Sequence, residues 1–333
     1  MGGDSVIKTG IGIGCMWYGI GNTGLPNPAA AFVEVHSDCS ATLLTGCADI
    51  GQGSNTVLAQ IVAETLGIDF EDVFVTSADT GVTPEAGATS ASRQTYISGN
   101  ACKRAAEMAR QTLVDLAADL LQDDKDKILL KDKMAFVKDT DKSISMAKLL
   151  EECDRRGILV IGSGSFNPDT TYLDAQTMAG IPYATYAFAT HIAEVEVNTE
   201  TGEIKVKKII AAHDVGKAVN PSLIEGQIEG GCLMGAGYAL LEEVLLSNGR
   251  ITNPNLSNYL LFTAKDVPEV YPIIVEEKEE TGPYGAKGVG EPSLIPTAPA
   301  ILNAIYNATG ERFTDIPVTQ ERFIEQTYYK FDK

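Results

Sequence analysis

Two stretches of this chain follow the same order of apolar and polar positions. In the first, the apolar runs Phe32 to His36 and Ala41 to Thr45 flank a polar turn, Ser37 to Ser40, which predicts a β-hairpin. The hairpin runs into Asp49 to Ser54, after which Val57, Leu58, Ile61, Val62 and Leu66 recur at helical spacing. Ser54 is the expected N-cap of that helix and Gly67 its C-terminal cap. In the second stretch, Val195, Val197, Ile204 and Val206 alternate around the turn Asn198 to Gly202, and the second strand leads to His213 to Gly216. A helix start follows, with Asn220 as N-cap and Pro221 at the first helical position. Strand, turn, strand, glycine loop and helix therefore occur twice. The predicted fold class is α+β: two related α/β lobes, each a mixed sheet with packed helices, the first over residues 1–180 and the second over 181–333.

Further helices are expected at Ala101 to Leu121, with a stripe through Ala101, Ala105, Met108, Ala109, Leu113, Leu116 and Leu120, and at Ala300 to Ala308, with Pro299 near its start and Gly310 after its end. Val318 to Tyr328 reads as a last short helix. Asp123 to Lys127 mixes both charges and reads as a solvated loop. The first 30 residues hold Gly10, Gly12, Gly14, Gly19, Gly21 and Gly24, an unusual opening for a free-standing fold, and the chain is expected to begin mid-structure.

Composition narrows the function classes. Of 333 residues, 44% are hydrophobic and 21% charged, which is globular rather than disordered. Lys and Arg number 26 against 45 Asp and Glu, a net charge of −19. Such a surface repels nucleic-acid backbones and anionic membranes. No run approaches the ~20 apolar residues of a transmembrane helix, and Met1 to Ser5 lacks the basic start of a secretory signal. The six cysteines (Cys15, Cys39, Cys47, Cys102, Cys153, Cys232) are scattered, with no C-x-x-C pair. That argues against a zinc or iron–sulfur site held by this chain alone, so no metal ligands are assigned, and it fits a reducing cytoplasm.

Four segments carry candidate chemistry. Gly51-Gln52-Gly53 lies between a strand and a helix start, where backbone amides can approach an anionic or polar ligand; on spacing alone the tighter fit is a turn with a surface Gln. Thr83 to Tyr96 is small and hydroxyl-rich around Arg93, suited to phosphate or pterin edges or to a polar connection with a structural Arg. Gly226, Gly230 and Gly231 share one helix at a cost of roughly 1 kcal/mol each, explained by tight packing or by a ligand against the backbone. His213 reads as a satisfied core histidine. Tyr284 to Ser293 lacks the Gly-Lys-Ser/Thr ending of a phosphate loop and leaves a lone carboxylate, Glu291, either a base or a helix-start acid. Gly10, Gly12 and Gly14 do not make a Rossmann site, because no βαβ unit surrounds them.

Taken in order, Ala48 to Ser54, Thr89 to Asn100, His213 to Lys217 with Asn220-Pro221, Gly226 to Gly230, and Lys287 to Pro292 form a set. In that set the chain resembles the molybdopterin-binding part of the xanthine dehydrogenase/aldehyde oxidoreductase family of molybdenum hydroxylases, over nearly its whole length. The resemblance implies the C-terminal half of the family's molybdopterin subunit, most similar to the medium molybdopterin subunit of the nicotinate dehydrogenase branch. It implies Glu291 as the catalytic base, and Gly51, Gln52, Gly53, Ala91, Ser92, Arg93, Gln94 and Gln227 as cofactor-binding positions. Tyr18 falls at a substrate-pocket position, as do Trp17 and Asn22; Met234 departs from relatives that carry a Gln there. The implied cofactor is molybdopterin cytosine dinucleotide with molybdenum bearing a sulfido or selenido ligand. The implied partners are a large molybdopterin subunit supplying the N-terminal half, a small iron–sulfur subunit with 2Fe-2S clusters, and an FAD subunit. The implied reaction inserts a water-derived oxygen at an electron-poor carbon of an N-heterocycle, nicotinate foremost. A purine or aldehyde hydroxylase and a non-catalytic scaffold are the rival readings.

Overall fold

Residues 6–329 are described by a computed structural model; the Met1 to Ser5 stretch read for a leader lies outside them. The chain opens with β1 (Ile7–Gly19), followed by the predicted hairpin β2 (Ala29–Val35) and β3 (Ala41–Thr45). Then come α1 (Ser54–Leu66), β4 (Val73–Ser77) and α2 (Gly99–Leu121). A small unit of β5 (Ile128–Lys131), β6 (Met134–Val137), β7 (Ser143–Ser145) and α3 (Met146–Arg156) precedes β8 (Ile161–Phe166). The second hairpin is β9 (Tyr186–Asn198) and β10 (Ile204–Asp214), leading to α4 (Pro221–Leu240). The ribbon β11 (Leu246–Ser247) and β12 (Arg250–Ile251), the strand β13 (Glu269–Val275), and helices α5 (Thr297–Thr309) and α6 (Gln320–Tyr328) complete the fold.

The repeated plan yields two four-stranded mixed sheets, β4-β3-β2-β8 and β1-β9-β10-β13. Each has one parallel pair, β3 with β4 and β10 with β13, because the hairpin's second strand is followed by a crossover through a helix. Buried apolar side chains form two clusters, one running from Ile20 to Ala187 and the other from Ala193 to Phe323. Asn220 caps α4 by accepting from the Leu223 amide at 3.1 Å, with Pro221 behind it, as expected.

The expected boundary at residue 180 needs one correction. Strand β1 does not join the first lobe; it pairs antiparallel with β9 along its full length, from Ile7 opposite Asn198 to Gly19 opposite Tyr186. The reason lies in its glycines. A Cβ at Gly12 would stand 2.1 Å from the Ala304 nitrogen, and one at Gly14 would stand 2.3 Å from the Pro296 carbonyl oxygen. Helix α5 therefore lies directly on the strand backbone, which only glycine permits. Strand β8 repeats the device under α2, where a Cβ at Gly162 would meet the Ala105 oxygen at 2.1 Å. A second correction concerns α1. Ser54 opens the helix, but Gly53 holds the cap position at φ 81, and the capping acceptor is the Asp49 carboxylate, 3.1 Å from the Asn55 amide. A third concerns the stripe of α2, from which Met108 and Leu120 turn out to be exposed. Among the described residues, no helix is long and apolar enough to cross a membrane.

Candidate functional site

Four backbone segments converge where the two lobes meet. They are the β3–α1 loop, the Thr89 to Thr95 segment ahead of α2, the first turns of α4, and the Ala286 to Glu291 loop. A cleft of about 760 Å³ between them is lined by Gln52, Thr89, Ser92, Gln94, Gln227 and Glu291, with Ser90, Arg93 and Val289. A second hollow of about 520 Å³ shares Gln52, Thr95, Gln227, Val289 and Gly290 with it and adds Val215, Asn220 and Lys287. Of the candidate positions, Gln52, Ser92, Arg93, Gln94, Gln227 and Glu291 therefore meet in one place.

The β3–α1 loop is more self-contained than its glycines suggest. The amides of Gly51 and Gly53 point at the Asp49 carboxylate, at 2.9 and 3.4 Å. These hydrogen bonds hold Asp49 below the usual carboxylate range against the opposing effect of burial. The helix start is thus occupied by an internal anion, and the expectation that these two amides cradle an external one is corrected. Gln52 folds over the same loop, its Oε1 accepting from the Ile50 amide at 2.7 Å and its Nε2 donating to Ser54 Oγ at 3.0 Å. Asp49 was missed in the sequence, although a carboxylate two residues before a Gly-x-Gly turn is a recognisable capping signal.

Arg93 also needs correction. Its guanidinium is buried, with 1% of the residue exposed, and braces the chain from within. Nη2 donates to the Asn27 and Pro28 carbonyls at 3.0 and 3.1 Å, and Nη1 donates to those of Ala86 and Ala88. Only Nε is left without a protein partner. Gln94 is likewise spent internally, donating to Thr89 Oγ1 at 3.0 Å and accepting from the Ser98 hydroxyl. It opens a π-turn, Gln94–Ser98, of the kind that interrupts helices at functional sites. Just before it, Ala91 and Ser92 sit at φ 54 and 53, a left-handed pair that side chains disfavour. The Ser92 Oγ is buried with no regular hydrogen-bond partner.

On α4 the two explanations for the glycines separate by residue. A Cβ at Gly231 would strike Ser293 Oγ at 2.2 Å, so that glycine serves packing. Gly226 and Gly230 have nothing within 4 Å of a Cβ and leave open surface beside Gln227. Gly290 and Gly51 are open in the same way.

Glu291 begins a short 3-10 turn, Glu291–Leu294, and is exposed. Its Oε1 accepts from the Ala91 amide at 2.9 Å, and its Oε2 accepts from the Tyr18 hydroxyl. Burial and the facing carboxylate push the Tyr18 pKa up. Trp17, one residue earlier on β1, points to the opposite face and is 70% exposed. Asn22 is held through its backbone by Asn27. The loop carrying Glu291 is fixed from behind: Lys287 Nζ meets Asp214 at 2.7 Å in a largely buried pair, and the Lys287 amide donates to Val215 at 2.9 Å. His213 is a core residue, with Nε2 2.7 Å from His191 Nε2. Burial lowers the pKa of His213 to about 4, and burial together with its neighbour lowers that of His191 to about 3.

Residues 2–268 match the family model described as the molybdopterin cofactor-binding domain. The chain belongs to that family. Among curated relatives, this molybdopterin-binding chain is 32% identical over 327 residues to a xanthine dehydrogenase molybdenum-binding subunit of Escherichia coli, covering 96% of this chain and 42% of the relative. It is 30% identical over 307 residues to the nicotine 6-hydroxylase large subunit of Paenarthrobacter nicotinovorans, covering 89% of this chain and 36% of that one. Among solved structures it is similar to quinoline 2-oxidoreductase from Pseudomonas putida, with a TM-score of 0.86 and 27% identity over 96% of this chain and 42% of that one. The chain therefore spans less than half the length of these relatives. The fold is the mixed α+β fold of molybdopterin-binding domains.

The cleft fits the family's cofactor in kind. It offers neutral amides and hydroxyls, a Ser92 Oγ without a hydrogen-bond partner, and open glycine backbone at Gly290. Those features suit a large, flat group that recognises hydrogen-bonding edges. Among the described residues, no group of three or more His, Cys, Asp or Glu could hold a metal ion.

Proposed function

We propose that this chain is the molybdopterin-binding, catalytic part of a multi-subunit hydroxylase that inserts a water-derived oxygen at an electron-poor carbon of an N-heterocycle, with nicotinate converted to 6-hydroxynicotinate as the leading substrate. The observation that carries the proposal is the Glu291 carboxylate, held by two donors at the edge of a cleft lined by Gln52 and Gln227. Molybdopterin cytosine dinucleotide with molybdenum bearing a sulfido or selenido ligand would supply an activated water oxygen and accept an electron pair. Gln52 would flank the pterin from the β3–α1 loop that Gly51 and Gly53 shape, Gln227 from α4, and Ala91, Ser92 and Gln94 from the segment leading into α2. Arg93 supports that segment from within. Glu291 would accept the proton released as the oxygen adds to the ring carbon. The ring of Tyr18 would border the substrate side of Glu291, its hydroxyl being taken by the carboxylate.

Heterocyclic substrates named for two of the similar proteins, nicotine and quinoline, favour this class. A purine is the second reading, favoured by the xanthine dehydrogenase relative. The proposal includes a large partner supplying the rest of the molybdopterin subunit, a small subunit with 2Fe-2S clusters, an FAD subunit, and a cytoplasmic location. In the purified complex, Glu291→Gln should keep its molybdenum and lose at least about 1,000-fold in turnover, because an amide cannot take up that proton. Near-normal turnover in that variant overturns the proposal. A complex free of molybdenum supports the non-catalytic scaffold instead, and oxidation of xanthine but not nicotinate supports the purine reading.

A further inference from the structure

We infer that Tyr18 is a positioning residue for Glu291: its hydroxyl and the Ala91 amide form a clamp that fixes the carboxylate, and the end of β1 controls both jaws. This inference rests on the proposed role of Glu291 as a base.

A glutamate on a short exposed turn has three side-chain torsions to settle, and a single hydrogen bond leaves the carboxylate free to swing about it. Here each oxygen has its own donor, Tyr18 for Oε2 and the Ala91 amide for Oε1, and the donors come from segments far apart in the chain. With the covalent link to the side chain as a third point, these two donors fix the plane of the group. The remaining lone pairs stay available on the cleft side. The Ala91 peptide is aimed by its left-handed backbone at φ 54, and its carbonyl accepts from the Gly21 amide at 2.9 Å. Gly21 follows β1 by two residues, and Tyr18 is the last residue but one of that strand. One stretch of four residues therefore presents the hydroxyl directly and holds the amide indirectly. The two loops can sit this close because residue 288 is glycine: a Cβ there would fall 2.0 Å from the Ser92 carbonyl oxygen. Charge complements the geometry. The groups facing the Tyr18 hydroxyl are the Glu291 carboxylate, the Ser92 hydroxyl and Tyr183, none of them cationic, so the phenol stays protonated and keeps donating.

A substrate contact and a clamp give different kinetics. In the assembled complex, Tyr18→Phe should lower kcat about 10- to 100-fold with KM within about 2-fold of the parent, as expected for one hydrogen bond to a charged group. A raised KM with unchanged kcat would leave Tyr18 acting on substrate binding alone and overturn the clamp. A direct readout needs no turnover: with tyrosine labelled at the ring carbon bearing oxygen, Tyr18 should ionise at lower pH in Glu291→Gln than in the parent. An unchanged Tyr18 titration overturns the contact itself. Full activity of Glu291→Gln defeats the proposed function. Loss in Glu291→Gln together with unaltered kinetics in Tyr18→Phe defeats only the clamp.

Discussion

Arg93 shows at the residue scale how one side chain can look like a ligand and act as a beam. Its two terminal nitrogens satisfy four carbonyls from two segments, Asn27–Pro28 and Ala86–Ala88. Removing the fork leaves those acceptors buried without donors. Arg93→Met should therefore destabilise the fold by about 3–5 kcal/mol, seen as a lower urea midpoint in the chain whether or not it carries cofactor. An unchanged midpoint with lost molybdenum would return Arg93 to the ligand set. The sequence shows that a guanidinium stands in a small, hydroxyl-rich loop; it does not show which way the fork turns, because the carbonyls it serves lie as far as 66 residues away. For Glu291 and Gln227 the local pattern left two readings open, and only the structure brings both to one cleft.

At the scale of elements, the histidines joining β9 to β10 make stability depend on pH. His191 and His213 are buried and neutral, with Thr297 on the far side of His191 at 2.9 Å. Their pKa values, about 3 and about 4, lie below the unfolded value of about 6.5. Unfolding therefore takes up protons in acid, so the stability they contribute is whole above about pH 6.5 and drains away as pH falls from there towards 4. The urea midpoint should drop measurably between pH 7 and pH 5, above the range where most carboxylates titrate. A flat profile over that interval would contradict buried neutral imidazoles. The hairpins, α4 and its cap could be read from local pattern, whereas the partner of β1 could not. Its glycines fit a helix almost 300 residues later, and no local rule anticipates that contact.

For the whole molecule, the outward side of the β1-β9-β10-β13 sheet carries a group of exposed apolar side chains. Ile11, Ile13, Trp17, Phe188, Tyr271 and Ile273 are all exposed on a chain of net charge −19. The single tryptophan sits on that side. In the isolated chain, Trp17 should show the red-shifted emission of a wet indole and be quenched efficiently by acrylamide. Blue, protected emission would mean that this face is already covered. The two mixed sheets could be read from the repeat, but their membership could not, because β1 leaves its sequence neighbours to complete the second sheet.

That pairing gives the opening strand a consequence beyond the site. Clipping the chain after Gly19 would strip thirteen ladder positions from the flank of β9 and bare a long row of amides and carbonyls. The bared edge of β9 would then be a template on which another strand can pair, so the opening strand also guards the sheet against association.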